Sequence, residues 1–179
     1  MSKRKESTLA ALLEEKKKRG RPPRAVSRQN VYVALTQAQK RHMRRLARGL
    51  PEGISRADIP DIAVTLLAVR LEVLRRAVSG RNREVPEGIT DLDSLYLLWD
   101  LPLTEENGQA KWTSVRLSPQ QVIDLGRVHG VLNALFGANR SQVFGLGLAL
   151  LERCLKNELA DKQFSSAEEL NRWIADFYL

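Results

Sequence analysis

Hydrophobic and polar positions alternate with two different periods along this chain, and the places where the period changes mark its elements. From Asn30 to Leu35, Val31, Val33 and Leu35 alternate with Asn30, Tyr32 and Ala34, the period of two that belongs to a strand. Thr36 follows as an N-cap, and the spacing predicts a helix over roughly 37–49 with Met43, Leu46, Ala47 and Leu50 on its buried face. The other side of that helix is Lys40, Arg41, Arg44, Arg45 and Arg48, and Pro51-Glu52-Gly53 breaks it. A second helix is expected to run to about Val78. Between Ile62 and Val69 it is apolar nearly all round, so its middle should be buried on every side.

The same order returns later. Over Trp112–Leu117, Thr113, Val115 and Leu117 fall on one strand face and Trp112, Ser114 and Arg116 on the other. Ser118 can cap a helix whose first residue, Pro119, has no amide proton to lose there. Val122, Leu125, His129, Leu132 and Phe136 mark that helix, and Gly137 ends it. Asn139-Arg140-Ser141-Gln142 opens another, apolar all round from Val143 to Leu151, in which Gly145 and Gly147 should permit a close helix crossing. Between the halves, Leu92, Leu95, Tyr96, Leu98 and Trp99 suggest a short helix capped near Thr90 or Asp91 and stopped by Leu101-Pro102-Leu103. A connector so rich in large apolar side chains is expected to pack on the core. Ser166-Ala167-Glu168-Glu169 has the capping-box pattern and leads into Leu170, Trp173, Ile174 and Phe177 on one face. That last helix must dock on its own core or on another chain.

The two halves share one plan. Leu35-Thr36-Gln37 matches Leu117-Ser118-Pro119, and Arg56 with Ile59, Ile62, Val64 and Leu66 matches Arg140 with Val143, Leu146, Leu148 and Leu150. Neither half can bury its second helix alone, but the two can pair their strands antiparallel and cross their apolar helices in one core. The plan resembles the ribbon-helix-helix family of DNA-binding proteins, to which the Arc and MetJ repressors belong, with both copies on one chain. The fold class expected is therefore mainly α. It would be a tandem ribbon-helix-helix pseudo-dimer with a two-stranded antiparallel ribbon, plus connector and C-terminal helices. The divisions are a basic arm over 1–28, a first half over 29–79, an acidic connector over 80–111, a second half over 112–163 and a C-terminal helix over 164–179.

The resemblance implies that the ribbon lies in the major groove of double-stranded DNA and reads bases with Asn30, Tyr32 and Ala34 from one strand and Trp112, Ser114 and Arg116 from the other. Arg116 suits guanine and Asn30 adenine. Tyr32 and Trp112 have an alternative, packing on the flanking helices. The resemblance also implies DNA phosphates at the amino ends of the second helices, at Ser55 and Arg56 and at Asn139, Arg140 and Ser141, with Lys40 and Arg44 as further phosphate contacts. In the first half Pro60 would remove an amide if Ser55 were the cap. If the helix starts instead at Asp58, Asp58 and Asp61 would repel a phosphate there.

Charge sharpens the picture. The chain has 179 residues, a net charge of +8 and a pI near 10.0. The excess sits in residues 1–28, at +7, and 29–79, at +5, whereas 80–111 stand at −4. A basic front half points to a polyanion. Within the arm, Arg19-Gly20-Arg21-Pro22 resembles an AT-hook, which places arginines in the minor groove of A·T-rich DNA. Beside it stand the plainer readings of a solvated basic tail and of a nuclear-import-like string. Surface attachment to membranes is disfavoured, since the arm has no extended apolar face. The basic start lacks the apolar stretch of a secretory signal and no apolar run approaches the ~20 residues of a membrane span. A cytoplasmic location is expected, on the nucleoid if the cell is bacterial or archaeal.

The single Cys154 excludes an internal disulfide and reads as a small buried hydrophobe. His42 and His129, on different helices and without clustered carboxylates, argue against an enzyme, and no metal or cofactor is expected. The leading function is a sequence-specific DNA-binding protein, either a transcriptional regulator or a plasmid maintenance or transfer factor. The alternative is an antitoxin-like or assembly factor acting through the connector or C-terminal helix, with Trp173, Ile174 and Phe177 as a partner or self-association surface.

Overall fold

A computed structural model describes residues 27–80, 85–103, 109–160 and 162–179. The AT-hook-like Arg19, Gly20, Arg21 and Pro22 lie outside the described residues. The described chain forms, in order, strand β1 (Gln29–Leu35), helix α1 (Gln37–Leu46), a 3-10 turn (Arg56–Asp58), α2 (Ile59–Ala77), α3 (Leu92–Leu98), strand β2 (Lys111–Leu117), α4 (Pro119–Phe136), α5 (Arg140–Asn157) and α6 (Ala167–Tyr178). It is mainly helical, with one two-stranded antiparallel sheet.

The strands meet where their periods allow. Val31 faces Val115 and Val33 faces Thr113, while Asn30 faces Arg116, Tyr32 faces Ser114 and Ala34 faces Trp112. A one-residue slip would turn Val31, Val33, Leu35, Val115 and Leu117 out of the core, so the apolar face sets this register.

Local signals account for most helix starts. Thr36 accepts from the Gln39 amide at 3.1 Å while the Gln39 side chain accepts from the Thr36 amide at 2.9 Å, a reciprocal cap for α1. Asn139 does the same for α5 with Gln142. Asp91, the second of the two expected caps, receives the Ser94 amide at 2.7 Å. Ser166 accepts from the Glu169 amide at 3.2 Å, but the Glu169 carboxylate bonds the Ser165 amide, one residue before the cap. Ser118 differs from expectation more plainly. It holds the cap position of α4, yet its hydroxyl donates to Gln121 Oε1 and caps no amide. α1 also stops at Leu46, short of the expected 49, because the Arg48 and Gly49 amides tighten into turns on Arg45 and Leu46.

Two helices form the centre, each with a stretch that is apolar almost all round. α2 buries Ile59, Ile62, Leu66 and Leu67, and α5 buries Val143, Phe144, Leu146 and Leu151. They cross closely at Gly147, where a Cβ would stand 2.9 Å from the carbonyl oxygen of Ala63. Any side chain at 147 would push α5 away from α2. The connector packs on this core as expected, with Leu95, Tyr96, Trp99 and Leu101 buried. Asp100 adopts φ 49 after α3, and the Leu101 amide then returns to the Tyr96 carbonyl at 2.8 Å. α6 docks on α2 within the same chain, and Leu170 and Ile174 are fully buried.

Candidate nucleic-acid interface

The face of the ribbon turned away from the core carries all six expected base readers. Asn30 and Arg116 are exposed and directly paired across the strands, as are Tyr32 and Ser114. Tyr32 is 62% and Trp112 74% exposed, so neither packs under a flanking helix. Ala34, opposite Trp112, is half-buried, and its amide donates to the Ser141 hydroxyl at 2.8 Å. Two large aromatic rings, each with an apolar body and a polar edge, thus stand exposed on the outward face of the ribbon.

The two ends of the ribbon are built differently. At the Leu35–Lys111 end the chain turns through Thr36 into α1, and the Ser141 contact brings the start of α5 there as well. The Ser141 and Gln142 amides are both held at 3.0 Å by Asn139 Oδ1, so Asn139 and Ser141 are engaged in capping. What faces solvent is Arg140, exposed and without an ion pair among the described residues. Lys40 is half-buried and Arg44 exposed on α1. On the α5 side of that helix, His42 Nε2 lies 2.9 Å from Glu152, which also takes Lys156 at 3.0 Å and Arg45 at 3.6 Å. Burial outweighs the carboxylate and holds His42 below its usual pKa. Burial also opposes ionisation of Glu152, but Lys156 and His42 prevail and keep its carboxyl below the usual range.

At the Gln29–Leu117 end, α2 begins after Asp58 with Pro60 in its first turn, the second of the two starts considered from sequence. Ser55 gives both its amide and its hydroxyl to Asp58, at 2.9 and 2.5 Å. Arg28 closes over the same place: its guanidinium bonds the Ala57 carbonyl and Asp58, and reaches Asp61 at 2.9 Å. Asp61, 5% exposed, also accepts the Ser118 amide at 2.9 Å. Burial raises the Asp61 carboxyl above its usual pKa even so. Burial works against Asp58 too, but the hydrogen bonds from Ser55 and Arg28 outweigh it and hold that carboxyl low. The helix start where Ser55 and Arg56 were expected to hold a phosphate is thus occupied from within, and only the exposed Arg56 is left outward. Asp58 and Asp61 were visible in sequence as an acidic pair, whereas their partner Arg28, some thirty residues away, was not.

Among the other expected residues, Ile174 is fully buried against its own chain and is unavailable to a partner. Trp173 is half-buried and stacks on the exposed Phe177 with ring centres 4.7 Å apart. Cys154 is buried, and burial pushes its thiol pKa up to about 12. No described helix is long and apolar enough to cross a membrane. Comparison of the chain with protein-family models, with curated proteins and with solved structures finds no match.

Proposed function

We propose that the chain is a sequence-specific double-stranded DNA-binding protein built as a tandem ribbon-helix-helix pseudo-dimer, serving as a transcriptional regulator or a plasmid maintenance or transfer factor. One observation carries this reading: the outward face of the ribbon presents Asn30 beside Arg116, Tyr32 beside Ser114, and Trp112, while the inward face is apolar. A two-stranded ribbon fits the major groove, where a planar guanidinium can donate twice to guanine O6 and N7 and a carboxamide can pair with adenine N6 and N7. Trp112 and Tyr32 offer apolar contact to thymine methyl groups. The basic helix α1 and the basic arm add affinity through phosphates, which carries no sequence information but sets position.

Because the paired strands differ at every outward position, the preferred site is non-palindromic. Selection of duplexes from a random pool by the whole chain tests the reading. Arg116→Ala should relax preference at one position by roughly 1–3 kcal/mol while leaving the others in place. An unchanged preference profile means that the ribbon does not read the bases.

A further inference from the structure

Among the described residues Asp61, 5% exposed, is the one charged residue in the core. A carboxylate taken out of water destabilises the fold unless ion pairs and hydrogen bonds offset its lost hydration. Packing does not demand one here. In the alignment that sets Arg56 against Arg140, the place of Asp61 is taken by Gly145 in the second half, and α5 forms without a buried charge. What distinguishes Asp61 is the pair of groups that its two oxygens hold.

Oδ2 lies 2.9 Å from the Arg28 guanidinium, and Oδ1 accepts the Ser118 amide at 2.9 Å. Arg28 immediately precedes β1 and Ser118 immediately follows β2. Gln29 and Leu117 are the last pair of the ladder at this end, so one carboxylate grips both strands a residue beyond their last pairing. The next pair inward is Asn30 and Arg116, each two residues from a gripped group. Arg28 is itself held from three sides, since its guanidinium also bonds Asp58 and the Ala57 carbonyl. The ends of a two-stranded ribbon are where pairing opens most readily. Opening here would part Asn30 from Arg116, and the clasp on α2 opposes it. Arginine singles out guanine when both of its hydrogen bonds form, and a contact of that kind has to be held to about 0.5 Å by the residues behind it.

Resting on the DNA-binding reading, we infer that Asp61 is a positioning residue for base recognition: by holding Arg28 and the Ser118 amide it fixes the Asn30–Arg116 pair, without touching DNA itself. Its effect is confined to the bases read at the Gln29–Leu117 end. The far end of the ribbon is anchored separately, through the Ala34 amide on the Ser141 hydroxyl.

The test uses the full chain and duplexes selected from a random pool. Arg116→Ala first identifies, by the position it relaxes, the base that Arg116 reads. Asp61→Ala should then lower discrimination at that position about fivefold or more. It should preserve the positions read from the far end of the ribbon and the affinity for an unrelated duplex. Asp61→Asn keeps an acceptor for the Ser118 amide but loses the charge facing Arg28, so at the same position it should fall between Asp61→Ala and the wild type. Adding D61A to R116A should change nothing further there, because a residue that acts through Arg116 has nothing left to position. A loss spread over every position, or shared by the unrelated duplex, makes Asp61 a general stabiliser of the fold and overturns the inference. An unchanged preference in both Asp61 variants overturns it too, with DNA binding left standing. A wild-type chain that selects no sequence overturns the DNA-binding reading together with this one. Circular dichroism checks the fold of each variant, and if Asp61→Ala does not fold, Asp61→Asn decides alone by the same outcomes.

Discussion

Glycine-to-alanine changes in α4 and α5 should have opposite effects on stability, and the structure says which is which. Gly126 and Gly130 sit inside α4 with nothing within 4 Å of where a Cβ would stand. Replacing either by alanine reduces the conformational freedom of the unfolded chain and improves helix propensity, for a gain of roughly 0.5–1 kcal/mol. Gly147 would gain the same helical preference, but its Cβ would come within 2.9 Å of the Ala63 carbonyl oxygen and 3.4 Å of its carbon. Those are backbone atoms of the helix that α5 crosses, so relief requires the two central helices to separate. Overpacking of this kind costs about 1–3 kcal/mol, which exceeds the propensity gain and leaves Gly147→Ala destabilised by about 1–2 kcal/mol. Gly145 falls between, because the atom its Cβ meets, at 2.9 Å, is the Nε2 of Gln39, the end of a side chain that can rotate away. Urea denaturation followed by circular dichroism measures all four variants. At this size the spread between Gly130→Ala and Gly147→Ala should appear as roughly 4–10 °C in midpoint on heating. If Gly147→Ala is as stable as Gly130→Ala, the close crossing of α2 and α5 is wrong.

His42, held below its usual pKa by burial, is protonated more readily in the unfolded chain, so it supports stability above 6.5 and that support is lost as pH falls through 6.5 toward the folded value. His42→Gln should flatten the stability curve between about pH 7 and about pH 5, and an unchanged slope there would refute the burial argument. Cys154, its thiol raised to about 12 by burial, should resist alkylation in the folded protein at neutral pH and react fully in denaturant; equal rates in both would place it at the surface. Arg70 lies over both Trp99 and Tyr178, 5.6 and 5.0 Å from the ring centres. Arg70→Ala should therefore lower stability by about 1–3 kcal/mol in urea, with Arg70→Lys recovering part of it; no loss would mean that the connector and the tail are held by apolar burial alone.

The features legible in the sequence are those whose cause is local. The alternation of Val31, Val33 and Leu35 and of Val115 and Leu117 identifies the inward faces, and the repeat identifies the partner strand eighty residues away. Reciprocal caps at Thr36–Gln39 and Asn139–Gln142 are written within four residues. The hidden features depend on where distant segments meet. Arg28 reads as one more cation in a basic arm until Asp58 and Asp61 are placed against it. The amphipathic face of α6 is plain, yet only the fold shows that α2 covers Ile174, so that it faces no partner. Ser118 was legible as a cap by position, but its hydroxyl follows Gln121, a choice between two nearby partners that spacing does not decide.

The strand-helix-helix order occurs twice in this chain, and the two occurrences are constrained unequally. Positions that pack together must remain apolar in both, which is why Leu46 corresponds to Val128 and Ile62 to Leu146, all buried. Other positions have no such obligation, and there the copies part: Arg41 and Arg44 on α1 against Ile123 and Gly126 on α4, Asp58 and Asp61 against Gln142 and Gly145, Asn30, Tyr32 and Ala34 against Trp112, Ser114 and Arg116. If the copies served only to complete a core, these differences would be expected to scatter without regard to place. Instead they gather cations at the Leu35–Lys111 end of the ribbon and carboxylates at the other, where Arg28 must answer them.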